Sequence, residues 1–111
     1  MATKKLEKSK WQGYFDRVSQ GIGATLVEIE IAGLALGDQV EAEWVPLTGM
    51  SYDPKDDLFQ VMSEELDHLI SNPREIYVDD DVEGLRNVEV IDADGNHQII
   101  QLKPPLALPS P

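Results

Sequence analysis

An α+β domain built on an antiparallel sheet is predicted by three features of the chain. Val88–Leu102 reads as two short strands around Asp92-Ala93-Asp94-Gly95-Asn96, residues that bond their own backbone in turns or accept positive φ. Met50–Val61 repeats the pattern, with Pro54 presetting the bend. Trp11, Tyr14, Phe15, Val18 and Ile22 recur at three- and four-residue steps, the spacing of one helical face.

The elements follow in order. Ser9-Lys10-Trp11-Gln12 matches a capping box, with Ser9 at the N-cap, so the helix is expected over about residues 10–20, with Gly21 and Gly23 as its stop. Gly13 inside it costs up to ~1 kcal/mol against alanine and suggests a close packing contact. Val27, Ile29 and Ile31 alternate with Glu28 and Glu30, a strand with one wet face. Residues 33–38 form an apolar loop between glycines, and residues 40–44 alternate again. Pro46 has no N–H for a ladder, so this strand ends there or lies at an edge. The hairpin over 49–62 follows. Leu66, Leu69 and Ile70 fit one helical face, with Ser63 as cap and Asn72-Pro73 as stop, so a short helical turn is expected near 63–71. Residues 75–78 form a strand running into Asp79-Asp80-Asp81, and the second hairpin covers 86–102.

The predicted order is helix, four strands, helical turn, three strands. The N-terminal helix packs on a curved antiparallel sheet, or covers the open end of a small, partly open barrel of the SH3-like or Sm-like kind, with Trp11 and Phe15 inserted. The chain's 111 residues are expected to form a single domain with one modest core. Residues 1–8 read as a basic, flexible lead and 104–111 as a Pro-rich tail.

Composition narrows the function classes. The chain has no cysteine, which removes disulfides, thiolate metal sites and thiol nucleophiles. No signal peptide and no apolar run long enough for a membrane span are visible, so a cytoplasmic location without membrane partners is expected. Residues 1–10 carry a net +3 and the remainder −15, giving the −12 of the whole chain. So acidic a body repels phosphate backbones, so no nucleic-acid partner is expected. The charge serves solubility or, more sharply, docking of a basic partner or a cation.

Few residues offer chemistry. With Gly95 aligned to position six of a calcium loop, Val90 and Gln101 occupy two ligand positions, one of them the bidentate position, so the run reads as a hairpin turn. Asp79, Asp80, Asp81 and Glu83 form a better, though weak, candidate for a divalent cation; a solvated loop explains them as simply. His68 and His97 are too few for a zinc site, and no other metal or cofactor is expected. His68, beside Asp67 and near Arg74, could act as a base or bind a ligand, but no nucleophile elbow accompanies it. Gly21-Ile22-Gly23 precedes a strand, the wrong context for phosphate binding. Trp44 and Tyr52 could form a stacking platform, yet Glu41 and Glu43 oppose nucleic acid there.

As a set, several segments resemble a family of short bacterial proteins carried as a domain of unknown function. They are Leu6-x-x-Ser9-x-Trp11-x-x-Tyr14-Phe15-Asp16, residues 35–39, Tyr52-Asp53-Pro54-Lys55-Asp56-Asp57, residues 66–70, Pro73–Val78 and Val90–Gly95. The resemblance covers about residues 6–103. It implies a stand-alone cytoplasmic bacterial protein and brings no catalytic residues.

Three functions compete on the sequence. The first is a non-enzymatic binding or assembly module whose protein partner, or second copy, docks on apolar residues Leu34, Leu36, Trp44, Val45 and Leu47. The second is a small ligand binder or enzyme using His68 with Asp67 and Arg74. The third is a weak divalent-cation binder at Asp79–Glu83.

Overall fold

The computed structural model describes residues 3–33 and 37–108. A short strand, β1 (Thr3–Leu6), leads through a 3-10 turn at Lys8–Lys10 into helix α1 (Trp11–Gln20). Seven strands follow: β2 (Leu26–Gly33), β3 (Gly37–Asp53), β4 (Leu58–Ser63), β5 (Asp67–Ser71), β6 (Glu75–Asp81), β7 (Gly84–Ile91) and β8 (His97–Leu106). Every neighbouring pair is antiparallel, in the order β1-β6-β7-β8-β2-β3-β4-β5. The sheet is strongly curled into a half-barrel, with β1 and β5 as its two edges.

The curl has a local cause in β3. Val27 pairs with Val45 but Ile29 with Ala42, so Glu43 and Trp44 together face Glu28, and Trp44 takes φ +50°. Bulges of this kind bend a strand and increase its twist. Farther along, β3 leaves β2 and takes β4 as partner, Leu26↔Pro46 giving way to Leu47↔Ser63. Pro46, expected to end a strand or to lie at an edge, sits at this changeover inside one continuous strand. Its missing N–H falls where the ladder passes from one partner to the other, and its carbonyl accepts from the Glu64 N–H.

Alternation fills the interior. Val27 and Ile29 of β2, Ile76 and Val78 of β6, Val88 and Val90 of β7, and Ile100 and Leu102 of β8 are all buried. Helix α1 closes this face. Trp11, Phe15 and Val18 form its buried stripe, with Phe15 edge-on to Phe59 at 4.8 Å and Trp11 edge-on to Tyr52 at 5.0 Å. The Ser19 hydroxyl donates to the Met50 carbonyl at 2.6 Å and accepts its N–H. On the other side the Tyr14 hydroxyl donates to Asp80 of β6 at 2.7 Å, and the Trp11 indole N–H donates to the Leu6 carbonyl. One helix thus touches strands that lie far apart in the sheet order, and only a curled sheet brings them to it.

Three expectations need correction. The segment near 63–71 is not helical: Ser63 closes a tight turn onto Leu66, and residues 67–71 form edge strand β5, which puts Ile70 against Phe59 and covers the edge of β4. The capping box does not form, because Lys8–Lys10 wind as a 3-10 turn and α1 starts after Lys10 with no side-chain cap. The lead expected to be flexible holds β1, which pairs with β6 from Thr3↔Asp79 to Leu6↔Ile76. Within the Pro-rich segment, β8 continues to the buried Leu106, opposite Leu85.

Candidate functional site

A groove of about 680 Å³ lies where β1, α1 and β6 meet. Its walls carry Lys4, Lys5, Lys10 and Arg17 with the carboxylates Glu7 and Asp80, Glu75 pairs with Lys5 at 3.8 Å beside them, and the apolar lining includes Leu6 and Leu108. A cationic cleft on a chain of net charge −12 is a local reversal of sign. Walls of low dielectric concentrate such a field.

The local structure explains how these groups converge. Lys10, Gly13, Tyr14 and Arg17 are spaced i, i+3, i+4 and i+7, a stripe along one face of the helix beside its buried stripe. The Trp11 indole bond to Leu6 holds β1 against the start of the helix. Asp80 anchors the floor, accepting the Tyr14 hydroxyl and pairing with Lys4 at 3.4 Å. Burial and that bond to a carboxylate push the Tyr14 phenol well above the usual tyrosine range, so it stays protonated and donating. Lys10 forms no ion pair with any described residue, whereas Lys8, outside the groove, pairs with Asp57 at 3.4 Å. Gly13 does not mark a close packing contact. A Cβ built there meets nothing within 4 Å, so the glycine faces open space on the groove wall.

The residues singled out from sequence are scattered. Leu34 and Leu36 lie outside the described residues. Leu47, expected at an interface, is 3% exposed and belongs to the core, as does Val45. Trp44 sits on the β3 bulge with the Lys103 ammonium 4.1 Å from its ring centroid, a cation–π contact rather than a stacking platform with the buried Tyr52. His68 meets neither Asp67 nor Arg74 in a hydrogen bond or ion pair. Its Nε2 lies 2.6 Å from Gln98 Oε1, and the Gln98 amide donates to Asp92 at 2.9 Å. Burial raises the Asp92 carboxyl, but bonds from Gln98 and from the Asn96 and Asp94 N–H groups outweigh it, leaving the group below the ordinary carboxylate range. This chain of side chains ties edge strand β5 to β8 across the interior. His97 pairs instead with Glu89 at 2.7 Å.

The acidic run does not converge. Asp80 points to Tyr14 and Lys4, while Asp81 and Glu83 both bind Arg86. The Glu83 N–H and Arg86 hold the Asp81 carboxyl below the usual range. Asp79 is 7% exposed and faces Asn87 across the strands, with one oxygen of each side chain lacking a hydrogen-bond partner. An amide beside a carboxylate can turn its N–H₂ toward it, so this pair does not itself demand a cation. Among the described residues no group of three or more metal-ligating side chains comes together.

The groove residues were not singled out as a site on the sequence. Two signals were present: the +3 charge of the first ten residues and a glycine within the helix. Neither shows that strand and helix share one cleft.

Fold and site together define a small, acidic, curled-sheet protein with one helix and a cationic groove along a sheet edge. The chain belongs to the Family of unknown function (DUF5335), whose model matches residues 2–111. It is 44% identical over 110 residues to an "Uncharacterized protein" of Aquifex aeolicus (strain VF5), covering 98% of this chain and 99% of that one. No solved structure matches it.

Proposed function

We propose that the protein is a non-enzymatic binding module that recognises an anionic partner through the groove between β1 and α1. The observation that carries this reading is the gathering of Lys4, Lys5, Lys10 and Arg17 around one cleft of a chain that is otherwise strongly acidic. Charge reversed so locally gives orientation and faster encounter to a short anion, while the acidic remainder repels a long polyanion such as nucleic acid. No helix among the described residues is long and apolar enough to cross a membrane. We place the protein in the cytoplasm, in keeping with its cysteine-free composition.

A second reading, ligand chemistry at His68, has in its favour the chain from His68 through Gln98 to Asp92. That arrangement is equally the way a sheet edge is fastened, and it engages the histidine with an amide rather than a carboxylate.

Backbone amide NMR shifts test the proposal, recorded during separate titrations with sodium pyrophosphate and with a short glutamate peptide at matched ionic strength. Shifts concentrated in residues 4–17, lost at high salt and in Lys10→Glu, are expected. Unchanged spectra at millimolar concentrations of both anions would refute it.

A further inference from the structure

We infer that the natural occupant of the groove is an extended acidic peptide segment of a partner protein, lying along the free edge of β1 and over Gly13. This rests on the anion-binding reading above and narrows it to one class of ligand. Three observations lead to it.

The first is spacing. Lys10, at the cap of α1, and Arg17, in its second turn, are seven residues apart, about 10 Å along the helix axis. The two cations are thus set along the groove rather than side by side. An extended peptide places successive side chains of one face about 7 Å apart, so two or three acidic positions cover that distance. Lys4 and Lys5 are adjacent in a strand, where neighbouring side chains point to opposite faces, yet both line the groove. The groove therefore wraps the edge of β1 instead of lying on one of its faces.

The second is the backbone. Among the described residues β1 is paired only with β6; the Leu6 carbonyl at its end is taken by the Trp11 indole, and residues 3–5 have no second strand partner. A peptide can add there as a further strand, with main-chain bonds supplying affinity and side-chain charges supplying selection. Lysines on an edge strand normally deter pairing with other strands. An acidic strand is the one pairing partner whose charge they favour.

The third is Gly13. Glycine in the first turn of a helix lacks the support an alanine gives, and here no described neighbour occupies the space that a Cβ would fill. No contact among the described residues calls for a glycine at this position. A chain passing between Lys10 and Arg17 does, because only a bare helix surface lets a peptide backbone approach closely.

The test uses a blocked fluorescent peptide of about seven residues alternating glutamate and threonine, its lysine–threonine counterpart, and sodium pyrophosphate. Binding to the full chain is followed by fluorescence polarisation at low and high salt. The acidic peptide should bind, the basic one should not, and Lys10→Glu should weaken binding at least tenfold. Gly13→Ala should raise the melting temperature by several degrees while weakening the peptide, a combination a purely structural glycine does not produce. Unaltered binding in a stabilised Gly13→Ala variant overturns the docking path. Pyrophosphate binding that depends on Lys10, without peptide binding, overturns this inference and leaves the anion reading standing. Binding of neither anion removes both. A salt-sensitive dimer abolished by Lys10→Glu, with no peptide binding, makes a second copy the occupant and likewise overturns the inference.

Discussion

Truncating Phe15 to alanine should remove the main tie between the helix and the sheet. Phe15 is 0% exposed and lies edge-on to Phe59 at 4.8 Å and to Tyr14 at 5.1 Å. Removing a buried phenylalanine costs about 3–5 kcal/mol, part of it from edge-to-face pairs worth about 0.5–1.5 kcal/mol each. A domain of this length has a total stability of about 5–15 kcal/mol, so the variant keeps only part of a small margin. Urea denaturation read by circular dichroism is the assay, with the midpoint falling and the slope unchanged. A double-mutant cycle with Phe59→Leu separates the pair from the rest and should return a coupling of about 0.5–1.5 kcal/mol. The groove should fail with the helix, since α1 is one of its walls. A loss below about 1 kcal/mol, far under the expected truncation cost, would show that α1 is peripheral and would remove the basis for a site on it.

Three further outcomes are expected. Gly84→Ala should destabilise more than Gly95→Val, as read from melting temperatures: both glycines have positive φ, but a Cβ at Gly84 meets the Leu106 carbonyl oxygen at 2.3 Å while one at Gly95 meets nothing within 4 Å. Asp92, whose carboxyl titrates lower in the folded chain than in the unfolded one, contributes its full stability above the unfolded value of about 3.9 and loses it as pH falls through the folded value; in Asp92→Asn the fall in urea midpoint between neutral and strongly acid pH should be smaller. Millimolar calcium should not raise the melting temperature beyond the effect of sodium chloride at equal ionic strength, because Asp80, Asp81 and Glu83 are committed to Tyr14, Lys4 and Arg86; a calcium-specific rise abolished by Asp80→Asn would restore the cation-binding reading.

The sequence by itself determined whatever depends on near neighbours. Asp92-Ala93-Asp94-Gly95-Asn96 makes its turn from its own side chains, with Asp92 accepting the Asp94 and Asn96 N–H groups and Gly95 at φ +84°. The helix over residues 11–20 shows in the spacing of Trp11, Phe15 and Val18, and the strands in their alternation. The tertiary structure decided the rest. Leu66, Leu69 and Ile70 fit a helical stripe, but five residues gain more by pairing with β4 and burying Ile70 on Phe59 than by forming one unsupported helical turn. Thr3–Leu6 has no strand signature and becomes a strand because β6 offers it a register. Leu47 and Val45 look like interface residues until the alternation of β3 beyond its bulge turns them both inward. The groove is of the same kind: its lysines and Gly13 are plain in the chain, but a shared cleft exists only once the curled sheet brings β1 and β6 to the helix, a contact between segments more than sixty residues apart.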